Sequence, residues 1–271
     1  MAVCCAPLSL EAQDESSRRQ LVNIPYVTAY GLGGFDIGDA RVNVLSVPAS
    51  FPIRRFGMDR WGLRLRLTGS FGVYDLRELE DVGFDKIRTL AFLPGVEFQF
   101  PLGRHVVLRP YLDLGMGWDL ERHSTAYLAF VGVRSEFVIP WNKVTFGFVP
   151  KLEYTTSRSS DDVLETEYAG GSVLSDARHP FWFHLGTVQP DVGAYFRVGY
   201  YATRVSFELR EDDPVSIVTD FEVGVSLGSC PAPKLWFVPL PRLWIGYRWT
   251  DVGVSGVRIS LGDRLLRCGS R

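Results

Sequence analysis

Residues 61–73 read Trp-Gly-Leu-Arg-Leu-Arg-Leu-Thr-Gly-Ser-Phe-Gly-Val. Leu63, Leu65, Leu67, Phe71 and Val73 share one parity; Arg64, Arg66, Thr68 and Ser70 share the other. Successive side chains of a strand point to opposite faces, so this segment has an apolar face backed by a charged one. A chain that repeats the pattern must build a sheet whose two faces meet very different surroundings.

The pattern does repeat. Val96, Phe98 and Phe100 alternate with Glu97 and Gln99. Leu112, Leu114, Met116 and Trp118 alternate with Arg109, Tyr111 and Asp113. Val131, Val133 and Phe137 oppose Arg134 and Glu136, while Phe146, Phe148, Leu152 and Tyr154 oppose Lys151 and Glu153. Val192, Ala194, Phe196 and Val198 oppose Tyr195 and Arg197, and Val205, Phe207 and Leu209 oppose Arg204, Glu208 and Arg210. Phe221, Val223, Val225 and Leu227 oppose Glu222; Ile245, Tyr247 and Trp249 oppose Arg248; Val257, Ile259 and Leu261 oppose Arg258. Only residues 11–21 could be helical, and they are polar.

Short turns are expected at Pro101–Arg104, Pro140–Lys143 and Trp249–Asp251. Longer polar connections are expected at Asp75–Lys86, Thr155–Pro180 and Gly228–Arg242. Many antiparallel strands joined by hairpins leave two edges, and closure into a barrel removes them. In a soluble barrel the apolar parity faces inward; in a membrane barrel it faces lipid and the polar parity lines the lumen.

Three features favour the second. Mid-strand charges of both signs occupy the polar parity. The strands reach the length of about nine to eleven residues that a tilted crossing needs. Aromatic residues gather near strand ends, at Trp61, Tyr74, Trp118, Tyr127, Trp141, Tyr154, Tyr200 and Trp249, as a girdle would. The expectation is an all-β, antiparallel, up-and-down transmembrane β-barrel of about 12 strands, with about 14 as the alternative. The fourteen-strand count would use further strands at Val22–Gly33 and Val163–Leu174.

Composition excludes several classes. No apolar run approaches the roughly 18 residues of a membrane helix. A net charge of −2 gives no bulk case for nucleic acid. Cys4, Cys5, Cys230 and Cys268 form no CxxC pair and no Cys/His cluster, so no metal site and no cofactor are expected. Residues 1–20 are read as a signal-peptide remnant or a disordered tail, 21–262 as the barrel, and 263–271 as a C-terminal tail.

Asp81–Leu102, Leu108–Leu120, Phe221–Ser229 and Pro233–Leu261 together resemble the solitary outer-membrane autotransporter-type β-barrel proteins of Gram-negative bacteria. The resemblance implies a translocator-like barrel without a secreted passenger, placed in the bacterial outer membrane. It implies contact with outer-membrane lipid and lipopolysaccharide, insertion by the barrel-assembly machinery, and a monomer. The chain departs from the pattern at its end. Gly256, Ile259 and Leu261 keep the spacing of a last strand, but the tail that follows has no aromatic residue.

The charged parity supplies the candidate site: Arg64, Arg66, Glu97, Arg109, Asp113, Arg134, Glu136, Lys151, Glu153, Arg197, Arg204, Glu208, Arg210, Glu222, Arg248 and Arg258. These residues could line a hydrated pathway with a basic bias, or pair with one another and stiffen a filled lumen. Pairing is the favoured reading, because buried charges must be compensated and small barrels have little free bore.

Two other functions are open. An outer-membrane lipid hydrolase would need a nucleophile and base within reach. His123 and Ser124 are adjacent and would face opposite sides of a strand, and no G-x-S-x-G elbow is present, so no enzyme activity is expected. A soluble lipocalin-like ligand-binding barrel would place the apolar parity inside. The acidic stretch Ser157–Glu167 is read as a solvated loop rather than a divalent-cation site. The Pro-rich stretch Cys230–Pro241 is read as an interfacial anchor through Trp236 and Phe237.

Overall fold

The computed structural model describes residues 32–262 apart from 38–39, 58, 75–86, 121–122, 160–164, 209–213, 231–233, 236–237 and 240–241. Among the described residues the fold is all-β and barrel-like, an antiparallel up-and-down sheet without a helix. The strands are β1 (Leu32–Ile37), β2 (Ala40–Arg54), β3 (Gly62–Tyr74), β4 (Ile87–Pro101), β5 (Val106–Asp119), β6 (Ser124–Trp141) and β7 (Val144–Ser159). They continue as β8 (Glu165–Pro180), β9 (Gln189–Glu208), β10 (Pro214–Cys230), β13 (Arg242–Thr250) and β14 (Ser255–Gly262). A separate two-stranded ribbon, β11 (Lys234–Leu235) with β12 (Val238–Pro239), sits in the connection between β10 and β13.

Neighbours follow chain order from β1 to β14, skipping the ribbon. β1 bonds to β2 through Gly33↔Val44 and to β14 through Gly33↔Arg258. Up-and-down order puts alternate connections at opposite ends. The short links at 102–105 and 142–143 mark one end, here the turn end. The connection at 75–86 and the tight Thr250–Val254 turn mark the other, the loop end. Thr250 N donates to the Val254 carbonyl at 2.9 Å, and Gly253 takes a φ of 83° that side chains disfavour. Residues 1–31 and 263–271, where the N-terminal and C-terminal tails were assigned, lie outside the described residues.

Two strands differ from the sequence reading. Thr155–Pro180, expected as a polar connection with a strand at Val163–Leu174 only in the fourteen-strand count, is mostly the end of β7 and the whole of β8. The hydrophobic contrast of β8 is weak because its outward residues are small: Ala169, Gly171, Val173, Ser175 and Ala177. β2 was not anticipated, because Pro48 and Pro52 interrupt its pattern. Both prolines pair with β3, beyond Val44, the last β2 residue that pairs with β1, so neither interrupts the β1 ladder.

The two faces differ as sharply as the alternation predicts. Phe98, Phe146, Val223, Val225 and Tyr247 are exposed on the outer face, and Leu114, Val131 and Leu152 there are 53%, 49% and 64% exposed. Glu97, Glu136 and Glu222 point inward and are each 1% exposed. Leu65, Arg64 and Lys151 are intermediate. Alternation breaks once in β10, where Ile217 and Asp220 are both fully buried on opposite parities. The register with β9 shifts at that point, Ile217 pairing with Val205 and Thr219 with Tyr200, so the extra residues of the bulge lie in β9.

Glycines on the inner face let long side chains cross a strand. Tyr111 on β5 lies opposite Gly132 on β6, and Gly132 lies opposite Glu153 on β7. The ring passes over the glycine, and Tyr111 Oη donates to Glu153. A Cβ on Gly132 would stand 2.5 Å from Tyr111 Oη and 2.6 Å from the Leu152 carbonyl oxygen. Asp113 crosses Gly95 in the same way to reach Arg66. Overpacking of this kind costs about 1–3 kcal/mol. Gly132→Ala is therefore expected to lower stability by about that amount in a urea titration of the refolded protein. Gly69→Ala, where a Cβ meets nothing within 4 Å, is expected to change it by under about 0.5 kcal/mol.

Candidate functional site

The inner face carries two ionic clusters, one on each side of the fold. In the first, Glu97 on β4 is the hub. Its carboxylate accepts from Arg134 Nη2 at 2.6 Å and Arg109 Nη1 at 3.5 Å, and Arg66 Nη1 stands at 3.8 Å. Gln99 Nε2 donates to it at 3.3 Å. Arg66 also pairs with Asp113 at 3.1 Å, and Arg109 with Glu136 at 2.7 Å. Arg64 extends the cluster to β2 by donating to Ser50 Oγ at 2.5 Å.

The second cluster joins β9, β10, β13 and β14. Asp220 accepts from Arg197 at 3.0 Å, Arg248 at 2.5 Å and Tyr201 Oη at 2.7 Å. Glu222 accepts from Arg258 at 2.8 Å and Tyr195 Oη at 2.6 Å. Between the clusters stands β7, where Lys151 Nζ lies 2.7 Å from Glu153. The Arg66 guanidinium covers the Tyr111 ring at 4.4 Å, a cation–π contact that ties the first cluster to this pair. Toward the turn end, Arg178 pairs with Asp176 and Arg242 with Asp191, and Arg242 Nε donates to Ser226 Oγ at 3.0 Å.

The structure thus brings together on the inner face Arg64, Arg66, Glu97, Arg109, Asp113, Arg134, Glu136, Lys151, Glu153, Arg197, Glu222, Arg248 and Arg258. The side chains of Arg204 and Glu208, and Arg210 altogether, lie outside the described residues. Asp176, Arg178, Asp191, Asp220 and Arg242 were not anticipated. Asp176 and Arg178 were hidden by the expected connection, while Asp220 shares the parity of Glu222 and lies just before the alternating run that opens at Phe221. Tyr111 and Tyr195 were placed on the correct face without their roles as donors across a glycine.

The interior is not ionic throughout. Ala91, Leu93, Leu128 and Phe130 form a buried apolar layer, and Val149, Tyr195 and Trp244 form another. Both sit on the parity of the charges, so the inward face carries apolar side chains as well as the ionic ones the alternation places there. Tyr195 and Trp244 meet edge to face at 4.9 Å between centroids. The fill is therefore layered, charge next to aromatic and aliphatic side chains.

On the outer face Trp61 and Trp141 lie at the turn end, packed on Phe98 and Phe146 at 6.1 and 5.9 Å. Trp118, Tyr127 and Trp249 lie at the loop end, with Trp249 stacked on Phe221 at 5.7 Å. Tyr154 and Tyr200 stand well inside β7 and β9, because both strands run on past the points where the alternation fades. The Tyr74 side chain, Trp236 and Phe237 lie outside the described residues. His105, His123, His179 and His184 are all exposed, away from the ionic interior.

No protein-family model matches the chain, and no curated protein matches it in sequence.

Chemically the interior is a set of compensated charges. Removing one partner of a buried ion cluster strands the rest and costs about 3–5 kcal/mol. Glu97→Ala leaves Arg66, Arg109 and Arg134 crowded without their shared carboxylate. Its urea unfolding midpoint is expected to fall by the equivalent of about 3–5 kcal/mol, while Glu167→Ala, at an exposed position, stays within about 0.5 kcal/mol of wild type.

Proposed function

We propose that this chain is an outer-membrane β-barrel protein of Gram-negative bacteria, a closed twelve-stranded transmembrane barrel of the solitary, translocator-like kind. Its role is structural or transport-related. Outer-membrane lipid and lipopolysaccharide surround it, the barrel-assembly machinery inserts it, and it works as a monomer without a cofactor.

One observation carries the reading: burial is inverted. Leu114, Val131, Leu152, Val223 and Val225 stand on the outside while Glu97, Glu136, Asp220 and Arg248 are buried within. In water that arrangement would expose an apolar surface far larger than the few hundred Å² that soluble monomers tolerate. In hydrocarbon it is the low-energy one. The pairing of β1 with β14 supports closure, because an open edge has no place in lipid. An ionic interior favours neither a lipocalin-like binder, which needs an apolar cup, nor a wide pore. The layered fill supports a stiff scaffold with at most narrow passages.

The decisive experiment uses an outward residue at mid-strand. An arginine near the midplane of a lipid-facing strand costs about 2–4 kcal/mol, whereas a water-facing one costs under about 0.5 kcal/mol. Leu114→Arg is expected to lose about 2–4 kcal/mol when folded into phospholipid vesicles and titrated with urea. A neutral outcome, together with folding to a soluble monomer in detergent-free buffer, would overturn the membrane assignment.

A further inference from the structure

Between the two ionic clusters the inner face opens into a small recess of about 40 Å³. A single buried water needs about 10–15 Å³, so the recess has room for about three waters or one small ion. Its wall is made by Lys151 and Glu153 on β7, Tyr168 and Ser172 on β8, Arg197 and Tyr201 on β9, and Arg248 on β13. Gly170 keeps the β8 side low, since a Cβ there would meet the Tyr201 ring at 3.0 Å.

The wall is rich in donors. Three cationic side chains and three hydroxyls line it, against one carboxylate. That carboxylate, Glu153, already accepts from Lys151 and from Tyr111. Arg197 and Arg248 converge on the carboxylate of Asp220 just behind the wall, and Arg197 also stands 3.9 Å from Glu222. A third of the Lys151 side chain's surface is accessible although it points inward, so its ammonium meets open space in the recess. Water can satisfy such donors, but a low-dielectric pocket walled by positive charge favours an anion over a neutral guest.

We propose that this recess binds one small monovalent anion of chloride size, held by Lys151, Arg197 and Arg248 with hydroxyl donors from Tyr168 and Ser172. The site holds whether the outer face meets lipid or detergent, so it stands apart from the membrane assignment. A recess with room for about three waters suits a compact ion over a bulky organic anion.

The probe is sodium chloride, read by the quadrupolar linewidth of the chloride resonance with the protein refolded in a zwitterionic detergent. Wild type is expected to broaden the line beyond a detergent blank. Ser172→Leu fills the recess without touching a charge, and Arg197→Gln removes one cation while leaving Asp220 its Arg248 and Tyr201 partners. Both are expected to lose the broadening while keeping the wild-type circular-dichroism spectrum. Absence of broadening in wild type, or broadening that persists in either folded variant, would overturn the site. Should neither variant fold, wild type alone decides by competition: bromide is expected to displace chloride and gluconate is not. Displacement by gluconate, or none by bromide, counts against the recess.

Discussion

Everything in this structure depends on keeping charge inside a sheet whose outside is apolar. Burying a guanidinium or a carboxylate away from bulk water is costly unless it is paired and hydrogen-bonded. The chain meets that demand by sharing. Glu97 serves three guanidiniums, and Asp220 serves two guanidiniums and a phenol. Sharing across several strands requires reach, and reach requires low ground between partners. Gly95 and Gly132 supply it, so that Asp113 meets Arg66 and Tyr111 meets Glu153 from two strands away.

The same arrangement fixes register. A slip of one residue in any strand would turn its charges outward and its aliphatic residues inward. A slip of two would keep the faces but separate Tyr111 from Gly132. The glycine crossings are therefore a second check on alignment beyond the alternation itself. They also couple strands that share no backbone hydrogen bonds, which stiffens the wall.

Much of this was legible in the residues. Wherever large aliphatic or aromatic side chains alternated with charges, as in 62–74 or 242–250, strand and facing followed directly from period two. Legibility failed where the contrast weakened. β8 presents alanine, glycine and serine outward, which carry little hydrophobic signal. β2 carries prolines whose tolerance depends on where a neighbouring strand stops, a fact of topology rather than of local sequence. Leu93, Leu128, Phe130 and Trp244 lie on inward parities, yet type alone would send them out. Which charges meet could not be read at all, because Glu97 and Arg134 are joined only by the stagger of three strands.

The register shift between β9 and β10 has a mechanical meaning. From Ile217 to Thr219 β10 advances two residues while β9 runs from Val205 to Tyr200, so the slack in this otherwise taut ladder sits in β9. Losing a residue between Tyr200 and Val205 would merely draw in that slack, with the ladder on either side unmoved. The same loss at Gly224 would throw half of β10 out of phase with both neighbours. Length changes in this wall are thus tolerated at one spot and forbidden on the strand beside it.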